Sequence, residues 1–246
     1  MTALARVQGL RKVHGEPPGA VEVLAGVDLE VPEGRFLCVM GPSGSGKSTL
    51  LHLVSGLDTP SDGTIELAGQ DLARLSLRER TLLRRRTVGY VFQFFNLLTN
   101  LTVEENVELP LAIAGHTGAA ERAVVPTLLE RFGITGRRAA FPHQLSGGEM
   151  QRTSIARALA GAQPLLLADE PTGNLSQQAG LEVMQALREV CDKDGKTVLL
   201  VTHNPRDATF ADELCFLLDG KVAARRLHGP GIPIEDVHAA LADLAI

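Results

Sequence analysis

Three cysteines in 246 residues, Cys38, Cys191 and Cys215, are too scattered for a disulfide framework and show no metal-ligand spacing. They read as small buried hydrophobes. No run of about 18 apolar residues occurs, which excludes a hydrophobic transmembrane helix from the sequence. The stretch Met1-Thr2-Ala3-Leu4-Ala5-Arg6 lacks the apolar core of a secretory leader, and the expectation is a cytoplasmic protein. An excess of positive charge is missing as well. With 24 Lys and Arg against 29 Asp and Glu the net charge is −5, which offers no general attraction to nucleic acid. Internal repeats and low-complexity segments are absent. What is present, 44% hydrophobic and 22% charged residues, is ordinary for a globular protein long enough to bury a sizeable core.

Against that plain background one stretch is chemically specific. Gly41-Pro42-Ser43-Gly44-Ser45-Gly46-Lys47-Ser48 matches G-x-x-x-x-G-K-[ST]. The apolar run Phe36-Leu37-Cys38-Val39-Met40 before it has strand length, and Thr49-Leu50-Leu51-His52-Leu53-Val54 after it reads as a helix. Three glycines let backbone N–H groups converge on phosphate oxygens, and the helix N-terminus adds partial positive charge. The spacing places Lys47 to reach β- and γ-phosphates and the Ser48 hydroxyl to bind Mg²⁺. The segment Gly41 to Ser48, with Thr49, is therefore the expected nucleotide-binding loop.

The remainder of the chain arranges itself around this loop. Leu4 to Val7 and Val21 to Leu29, broken by Gly15-Glu16-Pro17-Pro18-Gly19, read as antiparallel strands. Pro60-Ser61-Asp62-Gly63 is a turn signal before a strand at Thr64-Ile65-Glu66-Leu67. Capping boxes at Ser76-Leu77-Arg78-Glu79 and Thr102-Val103-Glu104-Glu105 open helices, and Gly118 to Arg131 forms a further helical segment. The arginines of the first of these helices read as a solvated face. Val88 to Phe92, Leu165 to Ala168 and Thr197 to Val201 are strands, with a helix from about Gln178 to Cys191 between the last two. Leu214 to Leu218 and Val222 to Arg225 make a hairpin across Asp219-Gly220. His228-Gly229-Pro230-Gly231 reads as a linker, and Ile234 to Leu244 as a short amphipathic helix.

The fold expected is α/β. It has a P-loop NTPase core of mostly parallel sheet with helices (about 1–92 and 161–226), an antiparallel β subdomain and an inserted helical lobe (about 93–160). Residues 227–246 would follow as linker and short helix.

A nucleotide held at the loop needs a carboxylate for its metal. Asp169, at the end of the Leu165 to Ala168 strand, is where one is expected, and the adjacent Glu170 is then free to take a proton from an attacking water. Leu145-Ser146-Gly147-Gly148-Glu149 has capping-box spacing, and its glycines would leave the first-turn N–H groups open to a ligand. Its helix N-terminus is a second potential phosphate site.

With these residues in view, about residues 4–226 resemble the ATP-binding subunits of ABC transporters. The likeness rests on the loop at Gly41 to Ser48, Gln93 after a strand, Leu145 to Glu149, Asp169-Glu170, and His203 past a strand, in that order. The wording Gly89-Tyr90-Val91-Phe92-Gln93 and Asp169-Glu170-Pro171-Thr172-Gly173-Asn174-Leu175 is most similar to the lipoprotein-release, macrolide-efflux and cell-division-associated group. The resemblance implies an ATP- and Mg²⁺-dependent head-to-tail homodimer, in which Ser146, Gly147, Gly148 and Glu149 of one subunit close on the γ-phosphate at the other's loop. It implies that Gln93 touches Mg²⁺ and the attacking water, that His203 bonds the γ-phosphate, and that Glu170 is the general base. It also implies a membrane permease on another chain, docked at an apolar groove including Phe94-Phe95-Asn96-Leu97-Leu98. The protein would then sit peripherally on the inner face of the cell membrane and serve export or extraction. The same motifs serve a regulator that transmits a mechanical signal to a membrane partner.

Two positions depart from the family pattern. Where an aromatic residue usually stacks on adenine this sequence has His14, the only aromatic ring in the first 35 residues. Where Asp usually follows Gly173-Asn174-Leu175 it has Ser176, and the expectation is retained hydrolysis with weakened cooperativity between two ATP sites.

Overall fold

The computed structural model describes residues 2–245 except Pro17, Thr117 and Pro230, and not the side chains of Ala224 and Arg225. Pro17 and Pro230, each within an expected break, thus lie outside the described residues.

Two sheets form the frame. The first is antiparallel throughout, in the order β2-β1-β4-β5, from β1 (Ala3–His14), β2 (Val21–Pro32), β4 (Asp62–Leu67) and β5 (Gln70–Asp71). The second is mostly parallel, in the order β10-β9-β3-β8-β7-β6. It comprises β3 (Phe36–Met40), β6 (Val88–Val91), β7 (Leu165–Asp169), β8 (Thr197–Thr202), β9 (Glu213–Leu218) and β10 (Lys221–His228). Among the described residues only the β9–β10 pairing in it is antiparallel; β9 runs parallel to β3.

The uniform apolar character of the central strands has a direct cause: both faces of the parallel sheet are covered. Alternate residues point to opposite faces. Phe36, Cys38 and Met40 of β3 join Leu166, Ala168, Val198 and Leu200 in a core shared with the helices. Leu37 and Val39 join Leu165, Leu167, Leu199 and Val201 in a second core against the antiparallel sheet and α1 (Lys47–Val54).

The helices on the first core are α3 (Val103–Ala114), α5 (Val124–Arg131), α6 (Gly147–Leu159), α7 (Gln177–Asp194), α8 (Pro205–Ala208) and α9 (Ile234–Asp243); α4 (Ala119–Arg122) buries no residue, and α2 (Leu77–Thr87) leads into β6. Val103, Val107 and Leu111 give α3 its buried stripe at every fourth residue. Val183, Met184, Leu187, Val190 and Cys191 do the same for α7. The tail is packed rather than free: Ile232, Val237 and Ala240 are buried in the same core. All three cysteines are free and buried.

Some local expectations shift. The helical segment from Gly118 to Arg131 is two helices, α4 and α5, parted at Ala123. Pro126 has no N–H to give and sits in the first turn of α5, where none is needed; α3 by contrast runs on through Pro110. Strand β4 begins at Asp62, inside the expected turn, because Gly63 (φ 86°) lies so close to β1 that a Cβ there would stand 2.5 Å from Gly9 O. The strand β10 continues to His228, the first residue of the expected linker. Asp219 (φ 45°) and Gly220 (φ 71°) form the two-residue turn that the Asp-Gly pair specifies.

Candidate active site

Three adjacent parallel strands, β3, β8 and β7, deliver the predicted residues to one edge of the sheet. Met40 pairs with Thr202, and Val201 with Asp169, so the segments after all three strands emerge side by side at their C-terminal ends.

After β3 the chain turns through Gly44 (φ 83°) and Gly46 (φ 101°), both left-handed, into the N-terminus of α1. A Cβ at Gly46 would stand 2.7 Å from Leu24 Cδ2, and one at Gly41 only 2.2 Å from Leu217 O, so neither position admits a side chain. Pro42, Ser43 and Gly44 are exposed at the crest, while Ser45 is buried with no hydrogen-bond partner for its Oγ. Lys47 Nζ curls back to donate to Gly41 O and Pro42 O, each at 2.9 Å. No acidic residue occupies the first turn of α1, so its positive end is unopposed by helix side chains. The cradle, a buried lysine and an orphaned buried hydroxyl together fit a phosphate chain.

Ser48 Oγ donates to Asp169 Oδ1 at 2.9 Å. Burial pushes the Asp169 carboxyl above its usual range, against the opposing pull of the Ser48 hydrogen bond. One hydroxyl and one carboxylate side by side are a hard oxygen donor set, suited to magnesium completed by phosphate and water oxygens.

Glu170 is held in the left-handed region at φ 42°, an unfavourable conformation for a non-glycine residue. Its Oε1 lies 3.6 Å from Lys47 Nζ and its Oε2 2.9 Å from His203 Nδ1. A cavity of about 300 Å³ opens here, lined by Glu170, Thr172, Gly173, Thr202, His203, Asn204 and Pro205. Gln93, just past β6, reaches the same region: its carbonyl accepts from Asn174 Nδ2 at 3.0 Å, and a Cβ on Gly173 would stand 3.3 Å from its Nε2. The structure thus brings together Lys47, Ser48, Gln93, Asp169, Glu170 and His203.

Ser146, Gly147, Gly148 and Glu149 stand apart from them. Among the described residues no hydrogen bond or ion pair joins 146–149 to 41–49. The capping box is complete, with Ser146 N donating to Glu149 Oε2 at 2.8 Å and Glu149 N donating to Ser146 Oγ at 3.3 Å. Arg137 Nε donates to the same carboxylate, 2.9 Å from Oε1. These bonds, Ser146 N–H first, lower the Glu149 carboxyl to about 2. The glycines answer to packing as well as to access. A Cβ at Gly147 would be 3.2 Å from Leu175 Cδ2, and one at buried Gly148 3.2 Å from Ala179 Cβ. His14 is exposed at the end of β1, within electrostatic reach of Asp58. Ser176 is the N-cap of α7, accepting from Ala179 N at 3.4 Å.

Two residues outside the motifs organise the site. Buried Asp207 accepts from Thr172, Thr202 and Asn204. Nothing in the sequence marks it; the structure places it as the third residue of the one-turn helix α8, capped by Asn204. Arg157 of α6 donates to Phe95 O (2.9 Å) and Asn96 O (2.5 Å), just beyond Gln93. Burial lowers its guanidinium to about 10. Nothing in the sequence marks it among the other arginines.

A glycine-lined loop running into a helix N-terminus, a hydrogen-bonded Ser–Asp oxygen pair and a carboxylate beside a histidine, all at the carboxyl edge of a parallel sheet, define a P-loop nucleotide-binding ATPase. Comparison with known proteins places it further. Residues 24–173 match the family described as ABC transporter, and the chain belongs to that family. It is 44% identical over 221 residues to the lipoprotein-releasing system ATP-binding protein LolD 2 of Caulobacter vibrioides, covering 90% of this chain and 97% of that protein. It is 42% identical over 226 residues to the macrolide export ATP-binding/permease protein MacB 1/2 of Paracoccus denitrificans, covering 92% of this chain and 34% of that one. The chain thus spans about a third of the macrolide export relative and nearly all of the lipoprotein-releasing one. A dimeric post-hydrolysis structure of the ATP-binding cassette MJ0796 bound to ADP and Pi superposes with a TM-score of 0.84 at 38% identity, covering 93% of this chain and 100% of that one.

Proposed function

We propose that this chain is the ATP-hydrolysing motor of an export or membrane-extraction system, working as a head-to-tail pair of identical subunits that drives a permease carried on another chain. The observation that carries the reading is the Glu170 carboxylate, set between Lys47 and His203 at the mouth of the phosphate loop. Phosphoryl transfer to water asks the protein for positioning and charge stabilisation rather than covalent chemistry. Gly41 to Ser48 and Thr49 cradle the phosphates, Lys47 turns its ammonium to the β- and γ-oxygens, Glu170 takes the proton of the attacking water, and His203 bonds the γ-phosphate. Magnesium bound at Ser48, Asp169 and Gln93 would neutralise charge on the β- and γ-phosphates. His14 lies against the adenine.

The separation of residues 146–149 from the loop within one chain supports pairing, because a second copy is then needed to bring Ser146, Gly147, Gly148 and Glu149 to the phosphate. Residues 1–226 act as one ATP-binding unit, 93–160 as its partner-facing lobe, and 227–246 as a packed appendage. Exposed Phe94 (71%) and Leu98 (44%) support an apolar dock for the permease. Among the described residues no helix is long and apolar enough to cross a membrane. In this reading the chain is held at the inner face of the cell membrane by its permease. The test is ATP hydrolysis by the chain alone and co-purified with the membrane protein encoded beside it. The reading predicts co-purification and a changed hydrolysis rate, and an unchanged rate without association contradicts it.

A further inference from the structure

Asp207 lies in α8, four residues past His203, and is 4% exposed. Both of its carboxylate oxygens are engaged. Oδ2 accepts from Thr172 Oγ1 (2.5 Å) and Thr202 Oγ1 (3.2 Å), and Oδ1 from Asn204 Nδ2 (3.1 Å). Thr202 Oγ1 in turn accepts from Asn204 N at 3.0 Å. The two residues flanking His203 are therefore both tied to this carboxylate, and so is Thr172, two residues beyond Glu170.

A carboxylate that only capped its own helix would need Asn204 and the helix N–H groups. Here one threonine hydroxyl arrives from the end of β8 and the other from the turn after β7. Burial raises the Asp207 carboxyl above its usual range and the Glu170 charge acts in the same direction, while the two threonine hydrogen bonds and His203 oppose them. A charge so desolvated is tolerated because its oxygens are satisfied, which binds the three donors to one geometry.

We propose that Asp207 is a positioning residue for hydrolysis: it clamps the loop after β7 to the loop after β8, so that Glu170 and His203 address the same phosphate at a fixed separation. This rests on the roles proposed above for Glu170 and His203. Thr172 gives a clean test, because Thr172→Val removes the hydroxyl but keeps the methyl that lies 3.5 Å from where a Cβ on Gly180 would stand.

The experiment measures kcat and KM for MgATP with the full chain carrying Thr172→Val, in the wild-type and His203→Ala backgrounds. In the wild-type background kcat is expected to fall on the order of tenfold with KM within about twofold. In the His203→Ala background the same change should lower kcat by less than about twofold, because the clamp acts through His203. A kcat within about twofold of wild type, or an equal fall in both backgrounds, overturns the clamp. Asp207→Asn should lower kcat in the same direction; if it fails to fold, Thr172→Val still decides. Failure of the underlying reading looks different: Glu170→Gln then hydrolyses ATP at the wild-type rate.

Discussion

The Glu170 carboxylate lies 2.9 Å from Nδ1 of His203, across the gap between the loops that follow β7 and β8. These strands are hydrogen-bonded neighbours, and Glu170 N donates to Val201 O at 2.9 Å, so sheet register brings the two loops to the same place at the sheet edge. On the proposed reading, acid and imidazole orient one another where water attacks.

Glu170→Gln should therefore keep ATP binding and lose turnover. General-base removal costs on the order of 10²–10⁴ in rate. Single-turnover hydrolysis and equilibrium nucleotide binding separate the two effects, and a loss smaller than about tenfold contradicts the role.

Ser176 caps α7, and Asp caps a helix about as well as Ser. Ser176→Asp should thus leave stability within about 0.5 kcal/mol while raising the Hill coefficient for ATP. Equal Hill coefficients for the two proteins would count against a link between this position and the second site.

Much of this was legible in advance, for identifiable reasons. Strands β3, β7 and β8 are buried on both faces, so their apolar runs stand out; the capping boxes at Ser76, Thr102 and Ser146 write helix starts directly into the chain. The phosphate loop is legible because its glycines have no alternative. What escaped depends on tertiary meeting points. The grip of Arg157 on the Phe95 and Asn96 carbonyls and the meeting of Thr172 with Asp207 join segments far apart in sequence, and the left-handed backbone of Glu170 has no residue type to announce it. The division of 119–131 into two helices was not readable from Pro126, since α3 continues through Pro110.

Arg157 satisfies two carbonyls at Phe95 and Asn96, both of which have left-handed backbones (φ 61° and 50°). Arg157→Ala should lower unfolding free energy by about 1–3 kcal/mol, the net worth of hydrogen bonds made by a charged group. Lys should recover only part, since a point charge cannot span both oxygens as the planar guanidinium does. Urea denaturation checks both values; an Ala variant as stable as wild type contradicts the account.

Glu149 gives a pH signature. Its carboxyl is depressed to about 2 in the folded chain, below the usual carboxylate value, so its stabilising contribution is full above the unfolded pKa and lost as pH falls from about 4.5 towards 2. The melting-temperature gap between wild type and Glu149→Gln should be widest near about pH 6 and shrink by about pH 3. A gap independent of pH contradicts the assignment.

The account turns on one chain presenting a phosphate loop and, elsewhere, the helix end that closes its twin's loop. Sedimentation velocity of Glu170→Gln with MgATP, across a range of protein concentrations, tests this most directly. The prediction is a nucleotide-dependent dimer that Ser146→Arg abolishes. A protein that stays monomeric at every concentration, with and without its membrane partner, contradicts it.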